Sequence, residues 1–475
     1  MPFPALIPGL EGPGFTPASY PGDDGDGTSG GSLFGTPVAS PRGFSVGFSD
    51  PALAENPAWT WVDDPAGDYI VQGFSIDRGR VYEFDRATTG TARVRVFDTS
   101  GDWDPTNTTG AFYGLLQPMK QAALAIKNPV TSTWSTLFRG FVSDWDYVLH
   151  PTENYIGVEI LLVDALDLIA AVELVAGGNY GNATAGTGAE GDVFYPQDPN
   201  TNAVQTRINR VLDEIGWPAG LRSIFTGNVK LQEVVYPSRT SALTVINDAG
   251  DAEFPAVSQF YLSKTGVARF RGRLARFNPT DPQYGITTWQ LGDDAAHLAF
   301  PTTVCPIAPP LQYRRDKEHV YTSAIATPQN IDDGDIAGQY VNDAAAAATY
   351  GTRTWSAENL LTAGGTGTTA AVETKKFATY YVNNYKTPLT RVGQLSFRCA
   401  QPSGNRASAE WAFVSGVDIG DRILLTTTHG GGGGFNDYFY VEGIHLDAQP
   451  MTTTNHDITM TLDVSPVGHY TSFPS

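Results

Sequence analysis

The chain has 475 residues, a length that corresponds to roughly three domains of about 150 residues each. Fifty Asp and Glu residues against 30 Lys and Arg give a formal net charge of −20, which disfavours nucleic-acid binding through a basic face. Gly (51) and Pro (32) are frequent and only 17% of residues are charged. This composition favours a folded, turn-rich β protein over a helical bundle or a disordered chain.

The first 43 residues are rich in turn formers, with 18 Gly or Pro. They predict a flexible or extended arm, which we expect to cross to a neighbouring subunit. No basic residue precedes Arg42, which argues against a secretory signal. The most apolar stretch, residues 160–176, carries Asp164, Asp167 and Glu173, so no membrane-spanning segment is expected.

Residues 44–176 have the pattern of a first β domain. Residues 91–97 nearly alternate between polar and apolar side chains, which predicts a half-buried strand. Further strands are predicted at 122–126, 137–148 and 155–163, and a short helix is predicted to begin at Asp164.

Residues 177–200 predict a surface loop, and residues 201–290 predict a small α+β unit. An amphipathic helix in this unit buries one face and ends at Gly216. The residues of that face are Val204, Ile208, Val211, Leu212 and Ile215. A second helix is predicted at 238–249, and the turn 264–266 predicts a hairpin between strands 259–262 and 267–270.

Residues 291–400 predict a linking α+β region, and residues 401–475 predict a second β domain. The linking region is expected to contain helices at 343–350 and 371–385. The β domain is interrupted by glycines 430–434, which predict a mobile hairpin tip that contacts a partner.

An internal repeat relates the two β domains. Strands 122–127, 137–148 and 155–163 are followed by Asp164, and a Leu-Phe-Arg-Gly segment ends at Gly140. Segments 421–427 and 440–447 and a strand that ends at Asp463 follow the same order, with a Tyr-Val-Glu-Gly segment that ends at Gly443. Generic β-meanders could look this similar. The other interpretation is two copies of one small β-barrel with the α+β unit inserted between them.

Several short segments carry a family resemblance through their order along the chain. They are SIDRGR (75–80), EFDR (83–86), GTA (90–92), DWDPTN (102–107), LFRGFV (137–142), VDALDL (163–168), SAL (241–243), FYL (260–262), RGR (271–273), YGTR (350–353) and GDRI (420–423). In these segments the chain resembles minor tail proteins of siphophages that infect actinobacteria, in the tail-tip or baseplate hub family. The resemblance covers about residues 70–470.

The resemblance implies a β-rich α+β fold with two hub β-barrels and an inserted α+β domain. It implies a homotrimer at the virion tail tip, in which two barrels per subunit give pseudo-sixfold symmetry. The implied partners are the distal tail protein, the tail tube or tape measure protein, and other minor tail or tip proteins. DNA would pass through the ring without specific binding, and an acidic lumen would disfavour phosphate contacts.

Motifs for catalysis or metal binding are weak. The sequence contains no HExxH or P-loop motif. Asp102, Asp104 and Asn107 resemble part of a calcium loop, but the central Gly and the terminal Glu are missing, so a turn held by Asx hydrogen bonds is favoured. The acidic run 332–335 likewise predicts a solvated turn rather than a metal site.

Paired acids could in principle serve a glycosidase. Asp144 and Asp146 share one face of a predicted strand, and Asp164 and Asp167 lie near the end of the next. In a chain with 50 acidic residues such pairs arise often, so this chemistry is disfavoured.

The remaining candidates are expected to be structural. His445 and His456 could face each other across the last hairpin, where ordinary polar strand residues are favoured over a pH switch. The aromatic face Phe377, Tyr380, Tyr381 and Tyr385 predicts a packed core rather than a ligand platform. Cys305 and Cys399 predict buried free thiols, with one long-range disulfide as the alternative. No enzyme is expected, and no catalytic, cofactor-binding or metal-binding residue and no cofactor is predicted.

Two other functions stay open. A hexameric distal tail adaptor would need one barrel per chain, whereas two barrels per chain favour three copies. A cell-wall carbohydrate-binding protein or hydrolase would need an aromatic cleft with converging acids.

Overall fold

The structure is a computed structural model. It describes residues 42–62, 69–150, 155–175, 193–293, 303–308, 310–315, 317–329, 331, 333–399, 405–428, 433–450 and 456–470. The described part begins at Arg42, inside the first strand, so the predicted arm lies outside it except for Arg42 and Gly43.

The first barrel is antiparallel throughout. Its strands are β1 (Arg42–Gly47), β2 (Thr60–Trp61), β3 (Tyr69–Gly79), β4 (Thr88–Asp98), β5 (Gln121–Lys127), β6 (Trp134–His150) and β7 (Tyr155–Val163). Pairing runs β3–β4–β7–β6–β5–β1, and β2 adds to β1. Because β1 also lies beside β3, six strands surround one core. The strand predicted at 91–97 is confirmed, and its burial alternates as expected for a strand with one buried face.

The inserted α+β unit has its own core. Its elements are α1 (Ala165–Ala171), β8 (Glu173–Leu174), β9 (Val193–Tyr195), α2 (Ala203–Glu214), β10 (Arg222–Ile224), β11 (Lys230–Leu231), β12 (Val234–Tyr236), β13 (Thr240–Ser241), α3 (Ala242–Glu253), β14 (Gln259–Leu262), β15 (Ala268–Arg271) and α4 (Leu274–Phe277). The predicted helix with Val204 and Ile208 inward is confirmed, and both residues are fully buried. The second helix begins at Ala242 rather than at 238, because Thr240 and Ser241 pair with β8.

The chain then contributes strands to four different sheets. It forms β16 (Thr288–Gly292), β17 (Val304–Pro306), β18 (Tyr313–Arg315), β19 (Ser323–Pro328), α5 (Asp333–Ile336), β20 (Tyr340–Asn342), α6 (Ala344–Tyr350), β21 (Thr354–Leu360), β22 (Thr362–Gly364), α7 (Ala370–Tyr385) and β23 (Thr390–Val392). The sheet β20–β19–β21 packs against α7 over an aromatic core. Helices α6 and α7 confirm the two predicted helices of this region.

The second barrel is completed by the last elements. These are β24 (Gln394–Cys399), α8 (Asn405–Gly416), β25 (Arg422–Thr426), β26 (Asn436–Pro450) and β27 (His456–Pro466). Pairing runs β17–β16–β25–β26–β27–β24. The amide of Ala308, just after β17, donates to the carbonyl of Ser396 on β24 at 2.7 Å, and this bond closes the ring of six strands. The predicted domain limits stay predictions. Three strands of this ring, β16, β17 and β24, precede residue 401, the predicted start of the second β domain.

Helix α8 was not predicted. Its residues Ala407, Trp411, Phe413 and Val414 are all buried in the barrel core. Because α8 is enclosed on several sides, it lacks the one-sided apolar pattern that marks a surface helix in a sequence.

The internal repeat is confirmed as two three-strand meanders. Strands β5–β6–β7 and β25–β26–β27 are each joined by two antiparallel pairings. In both meanders the register between the second and third strands shifts once, after Val142 and after Val441. Strands β26 and β3 pair from Gly443 opposite Gly79 to Ala448 opposite Phe74, so both barrels belong to one 13-stranded sheet. The predicted β-rich α+β fold is therefore confirmed.

Candidate functional site

The motif at residues 102–107 forms a turn, as predicted. Asp104 Oδ1 accepts hydrogen bonds from the amide and the hydroxyl of Thr106, and Asn107 Nδ2 donates to the carbonyl of Gly101 at 3.0 Å. Asp102 Oδ1 accepts from the amide of Ala111 at 2.9 Å. These side chains are thus engaged by backbone and hydroxyl donors, which is the Asx-turn arrangement.

The second acidic motif lies only partly in the described residues. Asp332 of the acidic run 332–335 is outside them, and so are glycines 430–432 of the predicted hairpin tip. Asp333 begins the one-turn helix α5, in which Asp335 is exposed, so the described part of the motif is a single helical turn at the surface. Across the described ranges, no cluster of three or more His, Cys, Asp or Glu side chains could hold a metal ion.

The two predicted carboxylate pairs differ in burial. Asp144 and Asp146 are exposed on the outer face of β6, where their strand partners are Leu161 and Glu159. Asp164 is buried and caps α1 by accepting from the amide of Leu166 at 2.9 Å. Burial raises the pKa of Asp164 to about 7. The structure therefore assigns Asp164 a capping role.

His445 and His456 do not face each other. His445 lies opposite Thr461 on β27 and Asp77 on β3, whereas His456 lies opposite Pro450 at the hairpin end. The ring of His445 contacts Asp77 at 2.9 Å through Nδ1 and Asp463 at 2.6 Å through Nε2. Hydrogen bonds to these two carboxylates raise the pKa of His445 to about 10, so the ring is a fixed cation at neutral pH.

Both remaining structural predictions are confirmed. Phe377 and the tyrosines of α7 are buried in the aromatic core, and the Tyr381 hydroxyl donates to the carbonyl of Pro255 at 2.6 Å. Cys305 and Cys399 are free and buried, and burial raises the pKa of both thiols. Neither thiol is disposed to react at neutral pH.

A buried ion cluster joins the two barrels to the inserted unit. Glu442 on β26 accepts from Arg80 Nε at 2.7 Å and from both terminal nitrogens of Arg276, at 2.6 and 2.7 Å. Ser465 donates to the same carboxylate, and Tyr470 accepts from Arg276 at 3.0 Å. Burial alone would raise the pKa of Glu442, but the charges of Arg276 and Arg80 hold it well below its usual value.

A second buried cluster is centred on Asp418. Asp418, just after α8, accepts from Arg78 Nη2 at 2.8 Å and from the amide of Lys264 at 3.1 Å. Lys264 Nζ donates to the carbonyls of Ser415 and Gly416, at the end of α8. Arg78 lies on β3 of the first barrel, Lys264 belongs to the β14–β15 hairpin, and Asp418 belongs to the second barrel. The cluster therefore fixes three units against one another.

A third set of buried contacts attaches α7 and β23. Arg273 Nη1 donates to Glu373 at 3.0 Å, and Arg391 Nη1 donates to Glu83 at 2.6 Å. His469 also contacts Arg391, and its burial lowers its pKa to about 3, so this imidazole is neutral. Opposite charges that are buried and hydrogen-bonded hold geometry strongly, since losing one partner leaves a charge without compensation.

We call these clusters together the inter-barrel junction. The sequence analysis did not predict them. Segments 75–80, 271–273 and 420–423 contribute to the family resemblance through their order along the chain. Nothing in these segments indicates that their charged side chains are buried. Arg-rich segments in a sequence are usually solvated. The one available signal was the repeated occurrence of Arg beside Gly in otherwise apolar β segments.

The outer face of the shared sheet is polar across both barrels. One transverse row of paired residues crosses seven strands, and most of its side chains are exposed. The row consists of Arg398, Thr459, Asp447, Ser75, Arg93, Leu161 and Asp144. Both charge signs occur in it, so it is a mixed surface without a basic stripe. Among the helices that the structure describes, none is long and apolar enough to cross a membrane.

No protein-family model matches the chain, and no curated protein matches it in sequence. The chain is similar in structure to a tail protein from Neisseria meningitidis MC58 (9% identity, 91% of this chain and 99% of that chain, TM-score 0.47). It is similar to the prophage tail protein gp18 from Listeria monocytogenes EGD-e (9%, 89% and 94%, TM-score 0.43). A third similar structure is the E. coli c3393 protein, a type VI secretion component (9%, 85% and 76%, TM-score 0.40).

Proposed function

We propose that the chain is a structural subunit of a phage tail tip, in which three copies form the hub ring. The observation that carries the proposal is that one chain holds two six-stranded barrels built around the same three-strand meander. A threefold ring of such chains presents six barrels. It can match a hexameric tail component on one side and a threefold tip on the other.

Rigidity of the two barrels supports this role. The β3–β26 pairing and the inter-barrel junction connect the barrels by main-chain hydrogen bonds and by buried ion pairs. A pseudo-sixfold arrangement needs a fixed relation between the two barrels of a subunit, because free rotation would break the match to six neighbours.

The partners of the proposed hub are the distal tail protein, the tail tube or tape measure protein, and other minor tail or tip proteins. The hub acts by shape and symmetry rather than by covalent chemistry, and its place is the tail tip of the virion. The net charge of −20 suits a ring through which DNA passes, since an acidic lumen disfavours phosphate contacts.

The test is the solution mass of the purified chain by light scattering over a concentration series. Three chains of 50.9 kDa each in one particle would support the hub. Six chains would favour the distal tail adaptor. A monomer at every concentration would count against the hub, and a peptidoglycan hydrolysis assay would then test the cell-wall alternative.

A further inference from the structure

Strand β26 takes part in both barrels. Its first part, Asn436–Tyr440, pairs with β25 in the second barrel, whereas Gly443–Ala448 pairs with β3 of the first barrel. Strand β27 pairs with the other edge of β26. A strand of one barrel therefore extends past that barrel and presents one edge to its neighbour.

Strand β6 holds the corresponding place in the first barrel. Its first part, Trp134–Phe141, pairs with β5, and β7 pairs with its other edge. Both β6 and β26 shift register once against the strand that follows, after Val142 and after Val441. Aligned by this shift, rather than by the two sequence segments that end in glycine, Asp144 corresponds to Gly443.

The second part of β6 has a free edge. Among the described strands only β5 and β7 pair with β6, and β5 ends opposite Phe141. The free edge is residues 144–149, and Leu149 is 67% exposed there. The corresponding residue of β26 is Ala448, which lies opposite β3 and is fully buried. This edge of β6 is therefore open to a further strand.

Strands β17 and β18 hold the place of β3 in the second barrel. Strand β3 lies along β4, which pairs with β7. In the second barrel β24 pairs with β27, and β23 directly precedes β24. The amide of Ala308, just after β17, donates to Ser396 on β24, and β18 pairs with β23. Strands β17 and β18 thus lie along β24 and β23 as β3 lies along β4.

The register assigns individual positions within this correspondence. Counted from the register shift through the paired strands, the matching residues of the first and second barrels are Asp144 and Gly443, Leu161 and Asp463, Arg93 and Gln394, Thr91 and Val392, and Asp77 and Tyr313. The amide of Val464 donates to the carbonyl of Gly393 at 3.2 Å. These two residues match Leu162 and Ala92, which also lie opposite each other and support the alignment.

Strand β18 also presents a free edge. It pairs only with β23, and its three residues are all exposed. The matching residues of β3, Asp77–Gly79, pair with β26. The register of β3 and β26, applied to β18 and β6, places Arg315 opposite Asp144. Two residues further along β6, it places Tyr313 opposite Asp146.

The two free edges carry opposite charges. Asp144 and Asp146 are exposed on one face of β6. Arg315 would face the first of these carboxylates and lie diagonal to the second, an arrangement that stabilises strand pairing. The in-chain pairing has the same feature, since His445 Nδ1 contacts the carboxylate of Asp77 at 2.9 Å across β26 and β3.

We propose that the edge Asp144–Asp146 of one chain pairs antiparallel with β18 of a second copy, in the register that joins β26 to β3 within the chain. The inference rests on the proposed hub, because it names the contact through which copies in the ring join. Each chain carries one edge of each kind, so the contact is head-to-tail and closes into a ring when the rotation permits. In-chain and interchain pairings would then alternate around six barrels.

The in-chain pairing identifies the position at which a disulfide fits best. The amide of Arg80 donates to the carbonyl of Glu442 at 2.9 Å. Hydrogen-bonded and non-hydrogen-bonded pairs alternate along an antiparallel ladder, so His445 and Asp77, three pairs further on, form a non-hydrogen-bonded pair. The Cα atoms of such a pair are about 4.5 Å apart, which a disulfide can bridge.

The test variant is the full chain with Asp146→Cys and Tyr313→Cys, the matching positions of the two free edges. After mild oxidation we expect covalent dimers and trimers, and no larger species, on a non-reducing gel. The matched control pairs Leu149→Cys with Tyr313→Cys, which moves one thiol about 10 Å along β6. We expect at least about tenfold less product from this control and from each single variant. The native Cys305 and Cys399 are buried.

Charge reversal tests the same contact without cysteines. Arg315→Glu would place a third carboxylate beside Asp144 and Asp146, and we expect the concentration at which half of the trimer dissociates to rise at least about tenfold. Adding Asp144→Arg to Arg315→Glu restores opposite charges and should recover most of this loss. Light scattering over a concentration series measures both variants, and an Arg315→Glu chain that assembles like the parent would overturn the pairing.

Light scattering of the reduced double-cysteine variant separates this inference from the proposed hub. A particle of three chains that forms no cross-link between positions 146 and 313, or equal product from the control pair, would overturn the pairing and leave the hub standing. A monomer at every concentration would overturn both. Cross-linked products larger than three chains would support the pairing and contradict the three-chain ring.

Discussion

Glu442 is a buried carboxylate that forms ion pairs with two buried arginines, so its loss should destabilise the whole fold. Glu442→Gln leaves Arg80 and Arg276 buried without their counter-charge. We expect the free energy of unfolding to fall by about 3–5 kcal/mol. Chemical denaturation of the parent and the variant measures this.

The matched control is Asp457→Asn, which breaks the ion pair with Arg398, an arginine whose side chain is 56% exposed. An exposed pair contributes at most about 1 kcal/mol. Equal losses in the two variants would contradict the role assigned to the inter-barrel junction.

His445 makes stability depend on pH in a defined direction. Its pKa is about 10 in the folded chain and about 6.5 when unfolded, because Asp463 and Asp77 hydrogen-bond the ring. The stabilisation is therefore complete below pH 6.5 and is lost as the pH rises toward 10. With the side chain 36% exposed, we expect His445→Gln to cost about 1–2 kcal/mol at pH 6 and progressively less toward pH 10.

The measurement for His445 is the denaturation midpoint of both chains at several pH values, together with the NMR titration of the imidazole. A ring that titrates near pH 6.5, or a stability difference that grows with pH, would show that the two contacts do not hold the proton.

Among the secondary-structure elements, the two meanders place a glycine at the same point for the same reason. A Cβ on Gly140 would collide with the carbonyl of Val163, and a Cβ on Gly443 would approach the carbonyl of Arg80 at 2.8 Å and Asp463 at 2.9 Å. We expect Gly140→Ala and Gly443→Ala each to cost roughly 1–3 kcal/mol in unfolding free energy.

Gly393→Ala is the control for these glycines, because a Cβ there meets no atom within 4 Å. Thermal and chemical unfolding of the three variants would settle the comparison. If Gly140→Ala and Gly443→Ala behaved like the control, the close packing that defines both meanders would be absent.

Elements with a clear period could be predicted from the sequence, and elements fixed by distant partners could not. Strands 91–97 and 155–163 and the helix with Val204 each show an apolar repeat that one buried face requires. The parallel strands β16 and β17 are too short to show such a repeat, and pairing of β16 with β17 and with β25 sets their place in the sheet. Asp164 was assigned to a helix start correctly, whereas Glu442 gave no sign of its burial.

The shape of the whole molecule follows from two ring closures and one shared edge. The hydrogen bond from Ala308 to Ser396 closes the second barrel, and β3 and β26 join it to the first. Every charged group of the inter-barrel junction bridges segments far apart in sequence, such as Arg78 and Asp418. The molecule is thus suited to carry two barrels at a constant spacing.

The most direct measurement is a cryo-electron-microscopy reconstruction of the assembled chain, computed without imposed symmetry. The hub proposal predicts a ring of three chains in which six barrels lie at one radius, with the two barrels of each chain alternating around the circle. A ring of six chains, or three chains whose two barrels lie at clearly different radii, would contradict it.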